Sequence, residues 1–173
     1  MTKTLYSNKV GKFEKISLEQ WHKDYGDDSE GISNGLLENV IKVPTRATSA
    51  SAGYDFVTPF DIDLQPGEYI KVPTGIKCSI SSGWFLAITP KSGLGFKYHT
   101  RLTNSIGIID ADYYNNEGNE GHIWVKMQND CKDKALHIDA GKAFCQGIFL
   151  QYGITVDDEA DGERVGGLGS TNA

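Results

Sequence analysis

Long apolar runs are missing from this chain. No segment approaches the roughly 18 consecutive apolar residues of a membrane-spanning helix, and the opening residues, MTKTLYSNKV, lack the apolar core of a signal peptide. Cysteine is also scarce: the 173 residues include three, Cys78, Cys131 and Cys145, with no CxxC pair. A disulfide framework or a zinc site is therefore not expected, and we predict a protein of the reducing cytoplasm.

Positive charge is in deficit. The chain has 17 Lys and Arg against 23 Asp and Glu, a formal net charge of −6. Direct binding to nucleic acid needs a basic surface and is therefore not expected. A small anionic ligand remains compatible with this charge if local basic groups, backbone amides or a divalent metal offset the field of the protein.

Helical periodicity is rare, and alternation of apolar residues takes its place. Apolar or small residues fall on every second position from 70 to 80, and similar strand-like stretches follow, each bounded by Gly, Asn or Asp: WFLAIT (84–89), HIWVKMQN (122–129) and FCQGIFLQY (144–152). Many short strands joined by glycine turns predict an all-β domain, a jelly-roll-like β-barrel.

The two ends of the chain differ from this middle part. In FEKISLEQWHKDYG, Ser17 followed by Gln20 has the pattern of a capping box, and Leu18, Trp21 and Tyr25 could share one face of a short helix. Such a helix either packs on the outside of the core or serves as a functional arm. We predict an N-terminal extension over residues 1–40, a barrel over 41–160 and a mobile, glycine-rich segment over 161–173.

Two glycine-containing stretches suit an anion. In PKSGLGFK (90–97), exposed amides together with Lys91 and Ser92 could form a concavity for phosphate, although an ordinary strand-to-helix turn is the alternative. In RVGGLGSTNA (164–173), Arg164 could bind phosphate through two parallel hydrogen bonds, beside the Ser170 and Thr171 hydroxyls. A frayed tail is the alternative there. Neither stretch is a P-loop, because GxxxxGK[ST] is absent.

The stretch TNSIGIIDADYY (103–114) leads an apolar run into an acid. Asp110 at the end of such a strand could orient or deprotonate a water molecule, Tyr113 could stack on a flat sugar or base, and Asn104 could read a base edge. The alternative is that Asp110 and Asp112 only end a hairpin strand. In SAGYDF (51–56), Asp55 could likewise do no more than accept a hydrogen bond from a neighbouring backbone amide.

Taken in order, five stretches resemble the five motifs of the homotrimeric dUTP diphosphatases (dUTPases). They span residues 44 to 171, and five motifs in the right order are far more specific than any one of them: PTRATSASAGYDF (44–56), PKSGLGFK (90–97), TNSIGIIDADYY (103–114), GKAFCQGIF (141–149) and RVGGLGST (164–171). The resemblance implies a jelly-roll-like barrel assembled as a homotrimer, with active sites between subunits and the fifth motif donated by a neighbour.

The implied reaction is hydrolysis of dUTP to dUMP and pyrophosphate, which keeps uracil out of DNA and supplies dUMP for thymidylate synthesis. Mg²⁺ is implied as the cofactor, bound through the substrate phosphates and water without a direct protein ligand. The resemblance makes Asp110 the residue that positions the attacking water. It makes Tyr113 the surface under the deoxyribose, and Asp55 a residue that supports the site from behind.

The remaining roles follow the motifs in the same way. Uracil would face Asn104 and the backbone of Gly107, Ile108 and Ile109, with Trp124 contributing by backbone position on the return strand of that hairpin. Phosphates would be held by residues of the second, fourth and fifth motifs: Lys91, Ser92, Gly93, Gln146, Arg164, Gly169, Ser170 and Thr171.

The chain departs from the family pattern in three places. Lys91 stands where Arg is usual, so the planar two-pronged donor is lost. Leu168 stands where an aromatic usually covers uracil, and Trp124 and Phe96 are the alternatives for that ring. The stretch YYNNEGNEGH (113–122) is longer than the usual tight hairpin of the family.

Two other functions compete with this one. A dCTP deaminase-like relative would need a glutamate on the return strand of the hairpin, where this chain has Lys126. A nucleotide-binding regulator without catalysis would have no need of Asp110. Some phage members of the family also bind repressor proteins, so a phage-derived chain could have a regulatory protein partner.

Overall fold

Short strands make up most of the regular structure in the computed structural model, which describes residues 9–25, 35–162, Arg164, Gly166 and Gly167. The strands are β1 (Gly11–Lys15), β2 (Thr45–Arg46), β3 (Tyr54–Val57), β4 (Ile62–Leu64), β5 (Tyr69–Pro73), β6 (Ile76–Ile80), β7 (Trp84–Pro90), β8 (Arg101–Leu102), β9 (Gly107–Ile109), β10 (Trp124–Gln128), β11 (Leu136–Ile138) and β12 (Ala143–Gln151). The helical pieces are α1 (Leu18–Tyr25), a π-helical turn (Leu36–Val40), α2 (Ser92–Tyr98) and a 3₁₀ turn (Ala111–Tyr113).

The strands pair antiparallel in four sheets within the described residues. The largest has the order β2-β3-β12-β7-β9, a second has the order β5-β10-β8, and the pairs β1-β6 and β11-β4 complete the set. Most neighbours in these sheets are distant in sequence, as Greek-key and jelly-roll connections require. The all-β prediction is confirmed.

Alternation along the strands sets the core. In β6, Ile76, Cys78 and Ile80 are buried while the residues between them are half-exposed, which matches the period of two read from the sequence. The rings of Phe56 and Phe144 are almost fully buried in the same core. Within the described residues, no helix is long and apolar enough to cross a membrane.

The N-terminal segment packs into this core as well. β1 pairs with β6 over five residues, from Gly11 opposite Ile80 to Lys15 opposite Ile76. Trp21 of α1 is fully buried and stacks on Tyr25 at 5.2 Å between ring centroids. Leu18 is 41% exposed. Of the three residues predicted to share the apolar face of α1, only Trp21 and Tyr25 therefore pack on the core.

Ser17 caps α1, but the predicted capping box is only half correct. The Ser17 hydroxyl accepts a hydrogen bond from the Gln20 amide at 3.0 Å. In a capping box the side chain three residues later accepts a hydrogen bond from the amide of the cap residue. Here the acceptor is a distant residue: Glu120 accepts from the Ser17 amide at 3.0 Å and from the Ser17 hydroxyl. A carboxylate from another part of the fold therefore does what the side chain of Gln20 was expected to do.

One of the open alternatives is observed, and one further prediction needs correction. PKSGLGFK forms a strand-to-helix turn: β7 ends at Pro90, Lys91 is extended, and α2 follows until His99 adopts a left-handed conformation. The predicted hairpin between β9 and the strand of Trp124 is wrong, because β9 pairs with β7 while β10 lies between β5 and β8. Residues 110–123 form a 3₁₀ turn and a long loop, too long to hold two strands in hairpin register.

Candidate active site

β9 carries Asp110 out of the core. Ile109, the last residue of β9, is buried opposite Leu86 of β7. Asp110 remains extended and begins the 3₁₀ turn, in which its carbonyl accepts a hydrogen bond from the Tyr113 amide at 3.2 Å. Its side chain is 52% exposed, so the carboxylate lies at the end of a buried strand within reach of solvent.

Arg164 lies over this acid. Its Nη2 donates to Asp110 Oδ2 at 2.8 Å and its Nε donates to Asp112 Oδ1 at 2.9 Å. The guanidinium is also 5.5 Å from the centroid of the Tyr113 ring, and its side chain is only 9% exposed. One arginine therefore binds two carboxylates and covers an aromatic ring in the same chain, whereas the family resemblance implies that the fifth motif reaches such a site from a neighbouring subunit.

Tyr113 is held from two sides. Its ring is buried, and its hydroxyl donates to the His122 carbonyl at 3.0 Å and accepts from Asn119 Nδ2 at 2.8 Å. Burial raises the pKa of the Tyr113 phenol, opposed by the bond from Asn119. The phenol is thus neutral near pH 7, and its orientation is fixed by two hydrogen bonds.

A second group of predicted residues surrounds Lys91. Its Nζ donates to Asp55 Oδ1 at 2.7 Å, and Asp55 on β3 lies opposite Gln146 on β12. Gln146 fills the space beside Gly53, where a Cβ would stand 2.4 Å from its Oε1. Ser92 and Gly93 open α2, and the first amides of a helix have no partner within it. A cavity of about 430 Å³ adjoins these residues, lined by Pro90, Lys91, Ser92, Gly95, Phe96, His99 and Thr100.

The residues expected to face uracil lie along β9. Asn104 is exposed in the turn that precedes the strand, and the Ile108 side chain is 49% exposed. In the described part of the chain, β9 is the last strand of its sheet and pairs with β7 alone. One side of the backbone from Gly107 to Ile109 is therefore open to a ligand.

Trp124 lies elsewhere. It is on β10, in the other sheet, opposite Pro73 of β5. The Lys71 ammonium is 4.1 Å from the centroid of its ring. Trp124 therefore does not reach the uracil edge as part of a hairpin with β9, and an ammonium already covers its ring. Phe96, the other alternative, is 91% exposed on α2.

Register separates the two groups of residues within one chain. Asp110 follows the Leu86–Ile109 pair, which puts it level with Phe85, whereas Lys91 is six residues beyond Phe85 at the other end of β7. At the rise of an extended strand, that distance is about 20 Å. A single chain thus brings Asp110, Tyr113 and Arg164 together, and Asp55, Lys91 and Gln146 together, but it does not join the two groups.

Four predicted residues, Leu168, Gly169, Ser170 and Thr171, lie outside the described residues, as does most of the predicted mobile segment. Among the residues that are described, there is no group of three or more His, Cys, Asp or Glu side chains placed to hold a metal ion. The acids nearest the predicted site, Asp110 and Asp112, both bind Arg164.

Sequence reasoning missed three residues near Asp110. Asp112 was noted without a role, yet it shares Arg164 with Asp110. Asn119 and His122 both hold the Tyr113 hydroxyl. The Asn-rich run NNEGNE was the one signal available for Asn119, since such runs form loops stabilised by side-chain-to-backbone hydrogen bonds. It does not show which group the side chain would bind.

A family model described as dUTPase matches residues 39–171. The deoxyuridine 5'-triphosphate nucleotidohydrolase of Lactococcus lactis subsp. lactis (strain IL1403) is 39% identical over 135 residues, covering 77% of this chain and 89% of the relative. The enzyme of that name from Hahella chejuensis (strain KCTC 2396) is 36% identical over 143 residues, covering 78% and 90%.

Solved structures of dUTPases are also similar to this chain. The crystal structure of dUTPase from Streptococcus mutans is 34% identical, with a TM-score of 0.62, and the match covers 83% of this chain and 97% of that one. A Staphylococcus bacteriophage 80alpha dUTPase with dUPNHPP has the same TM-score of 0.62 at 17% identity, covering 90% of each chain. At that identity the likeness extends to the fold alone.

Proposed function

Because the chain belongs to the dUTPase family, we propose that it hydrolyses dUTP to dUMP and pyrophosphate. This reaction keeps uracil out of DNA and supplies dUMP for thymidylate synthesis. The observation that carries the proposal is Asp110, a half-exposed carboxylate at the end of a buried strand, beside the fixed ring of Tyr113 and the guanidinium of Arg164.

Asp110 orients the water that attacks the α-phosphate. Arg164 occupies Oδ2 of its carboxylate, and Oδ1 carries lone pairs that can accept a proton from a water molecule. The extended backbone at Asp110 and the 3₁₀ turn after it fix the direction of the side chain. A carboxylate held in this way lowers the barrier chiefly by positioning the nucleophile in line with the leaving pyrophosphate.

Arg164 changes partners when substrate binds. In the absence of substrate its two donors bind Asp110 and Asp112. A triphosphate offers denser negative charge and competes for the same planar donor. Transfer of the guanidinium to the γ-phosphate leaves Asp110 free to accept from water and neutralises charge that builds up on the leaving group. Gly169, Ser170 and Thr171 close over the same phosphate.

Lys91, Ser92, Gly93 and Gln146 bind the other phosphate oxygens. Asp55 contributes indirectly, because its carboxylate fixes the Lys91 ammonium at 2.7 Å. A lysine replaces the usual arginine here, so the contact is a single point charge and not a pair of parallel hydrogen bonds. The backbone amides at the start of α2 supply the directional donors that lysine lacks.

Selectivity for the nucleoside comes from shape. The ring of Tyr113, locked by Asn119 and His122, packs under the deoxyribose and leaves no room for a ribose 2′-hydroxyl. The open side of β9 pairs with the uracil edge, and Asn104 adds a donor and an acceptor. Leu168 covers the base by apolar contact.

Mg²⁺ serves as the cofactor and is held by the substrate phosphates and water, which suits an ion that keeps most of its hydration shell. Since Asp110 is assigned to the attacking water, we assign no protein ligand to the ion. When bound, the ion neutralises charge on the triphosphate.

The active unit is a homotrimer with its sites between subunits. The separation of about 20 Å between Asp110 and Lys91 along the β7–β9 register supports this assembly, because one chain cannot bring both to one nucleotide. A neighbour that contributes the missing half completes each site. The three cysteines are buried and unpaired, which supports the proposed cytoplasmic location.

Pyrophosphate release measured with dUTP, dCTP, dTTP and UTP in the presence of Mg²⁺ tests this function. We expect release from dUTP and strong discrimination against the other three. Ammonia release from dCTP would instead assign the chain to the deaminase relatives. Binding of nucleotide without any pyrophosphate would make it a regulator without catalysis.

A further inference from the structure

The loop formed by residues 114–121 is folded by its own side chains. Asn116 is almost fully buried; its Oδ1 accepts from the amides of Gly118 and Asn119 at 3.0 and 3.1 Å, and its Nδ2 donates to the Tyr113 carbonyl at 2.7 Å. Asn119 Oδ1 accepts from the Gly121 amide at 3.2 Å. Because its side chains form hydrogen bonds with its own backbone groups, the loop has a defined shape. A shift of an element on one side of the loop can therefore move an element on its other side.

One side of the 114–121 loop contacts the N-terminal segment, residues 9–25. Both carboxylate oxygens of Glu120 bind Ser17, at the start of α1. Lys23 Nζ, near the end of α1, donates to the Gly118 carbonyl at 3.1 Å. The Tyr114 hydroxyl bonds to Glu14 of β1. The N-terminal segment thus holds the loop at three separate points.

The other side of the loop contacts the site around Asp110. Asn119 Nδ2 donates to the Tyr113 hydroxyl at 2.8 Å. The loop also touches the C-terminal segment three residues beyond Arg164: a Cβ on Gly118 would stand 2.9 Å from the Gly167 amide nitrogen, and a Cβ on Gly167 would stand 3.1 Å from Asn119. Gly166 and Gly167 therefore lie directly against Gly118 and Asn119.

We propose that the N-terminal segment positions the substrate site through the 114–121 loop, in which Asn119 orients the Tyr113 ring and Gly118 receives the C-terminal segment that carries Arg164. Asn119 and Gly118 are then positioning residues for the reaction. The kinetic part of this inference rests on the proposed function, whereas the docking of the C-terminal segment does not.

Charge and geometry favour this role over simple packing. Glu120 is placed by a positive φ of 55°, a conformation that non-glycine side chains seldom adopt without a reason in the surrounding contacts. Its carboxylate also accepts from Lys77 Nζ at 3.2 Å, so its bonds to Ser17 and Lys77 tie α1 and β6 to one end of the loop. At the residue before Glu120, a shift of Asn119 would release the Tyr113 hydroxyl and so free the ring that packs under the deoxyribose.

Substitutions at Asn119 test the contact with Tyr113. Asn119→Asp keeps an acceptor for the Gly121 amide but loses the donor to the Tyr113 hydroxyl, while Asn119→Ala loses both. We expect both variants to lower the ratio of kcat/KM for dUTP over UTP by about 2- to 10-fold, the range for one lost hydrogen bond. A purely structural role would lower both rates together and leave the ratio unchanged, which would overturn the assignment.

Two lysines of the N-terminal segment provide a matched pair. Lys23 donates to the Gly118 carbonyl, whereas Lys15 donates to the carbonyls of Leu37 and Glu38, away from the loop. We expect Lys23→Ala to raise KM for dUTP and lower the dUTP/UTP ratio, and Lys15→Ala to leave the ratio at the wild-type value. Equal ratios in the two variants would contradict a route through the loop.

Docking of the C-terminal segment is tested without reference to activity. Trypsin cleaves after Arg164, and mass spectrometry of the released peptide 165–173 gives the rate. Gly118→Ala places a Cβ against the Gly167 backbone and should accelerate this cleavage, while Gly153→Ala, with no atom within 4 Å of the new Cβ, should not.

The kinetic test and the cleavage test can fail independently of each other. A wild-type chain that does not hydrolyse dUTP would refute the proposed function, while faster cleavage of Gly118→Ala would still support docking. Cleavage of Gly118→Ala at the rate of Gly153→Ala would overturn the docking, whatever the activity of the wild type.

Discussion

At the scale of single residues, the chemistry centres on one guanidinium shared by two carboxylates. Arg164 gives one donor to Asp110 and one to Asp112, each within 3 Å. Of the five N–H donors of a guanidinium, Nε and Nη2 hold these acids, so an anion that binds Arg164 competes with them for the same group.

We predict that Asp110→Asn abolishes turnover but leaves nucleotide binding. The amide keeps the size of the side chain and cannot accept a proton from water, so kcat should fall by about 10²- to 10⁴-fold, the usual contribution of a general base. Pyrophosphate release measures turnover, and calorimetry with a non-hydrolysable dUTP analogue measures binding. Asp112→Asn is the control and should lose far less. Release at nearly the wild-type rate from Asp110→Asn would refute its role with water.

Candidate functional residues could be predicted from the sequence where one short stretch contains the whole pattern. Asp110 ends an apolar run, and Lys91 and Ser92 follow a strand, so a local pattern was sufficient to find them. Asn119 and His122 act on Tyr113 from a loop whose path depends on α1 and β1. No local pattern contains that information, because Glu14, Ser17 and Lys23, which hold the loop, lie 95 to 103 residues earlier in the chain.

At the scale of elements, the C-terminal segment contacts both the site and the 114–121 loop. In the described residues it meets the site through Arg164 and touches the 114–121 loop at Gly167. The acids that Arg164 binds are about half exposed, and exposed ion pairs contribute little to stability.

We therefore predict that deletion of residues 164–173 greatly reduces hydrolysis without unfolding the protein. Loss of the arginine that neutralises the triphosphate should lower kcat/KM by about 10³-fold or more. The melting temperature, followed by circular dichroism, should stay within about 3 °C, because the two ion pairs that are lost involve half-exposed carboxylates. A large fall in melting temperature would show instead that this segment is structural.

The contact between α1 and the loop contains a titratable group. His122 is fully buried; its Nε2 accepts from the Gly75 amide at 2.9 Å and its Nδ1 lies 2.5 Å from Asp24 Oδ2. Since Nε2 is an acceptor, the ring is neutral and Nδ1 carries the proton. Burial lowers the pKa of His122 below its ordinary value of 6.5, although Asp24 and Glu120 raise it and Lys71 lowers it further.

This lowered pKa gives the sign of a pH effect. Below about pH 6.5 the unfolded chain binds a proton at His122 that the folded chain does not, so stability falls as the pH decreases. We predict that the melting temperature of the wild type decreases between pH 7 and pH 5, and that His122→Gln, less stable at pH 7, shows a smaller decrease.

A His137 variant is the control for this measurement, because the pKa of His137 is shifted in the opposite direction. Hydrogen bonds with Asp63 and Asp139 raise its pKa, so its contribution to stability is present at low pH and declines as the pH rises. His137→Gln should therefore make the acid loss of stability steeper, the opposite of His122→Gln. Parallel curves for wild type and His122→Gln would show that His122 does not govern the effect.

Strands in which apolar residues alternate could be predicted from the sequence, whereas the strands with which they pair could not. The period of two over residues 70–80 predicts one strand, because burial of one face is a local property of a strand. The structure breaks this strand at Gly75, which has a φ of 70°, into β5 and β6, and the two lie in different sheets. The partner of β9 was mispredicted, because pairing depends on the path of residues 110–123 and not on the strand itself. The stretch PKSGLGFK left open an anion-binding concavity or an ordinary strand-to-helix turn. The seven-residue α2 within it has no buried face to create a helical periodicity.

At the scale of the whole molecule, the class of fold followed from composition and alternation, and the family from the order of its motifs. The resemblance to that family also implied active sites between subunits, but it did not show which residues a single chain keeps apart. That division follows from the register of β7 with β9, which sends Asp110 and Lys91 to opposite ends of a pair of strands. Only the folded chain fixes this register.

Subunit mixing tests the division. We predict that Asp110→Asn and Ser92→Ala are each inactive alone, and that trimers assembled from an equal mixture regain up to about a quarter of wild-type activity, because random assembly in a symmetric ring pairs an intact Asp110 with an intact Ser92 at that frequency. The measurement is pyrophosphate release after the two variants are unfolded and refolded together, with each variant refolded alone as the control. If each chain built its own site, mixing would restore nothing, and activity would stay at the level of the single variants.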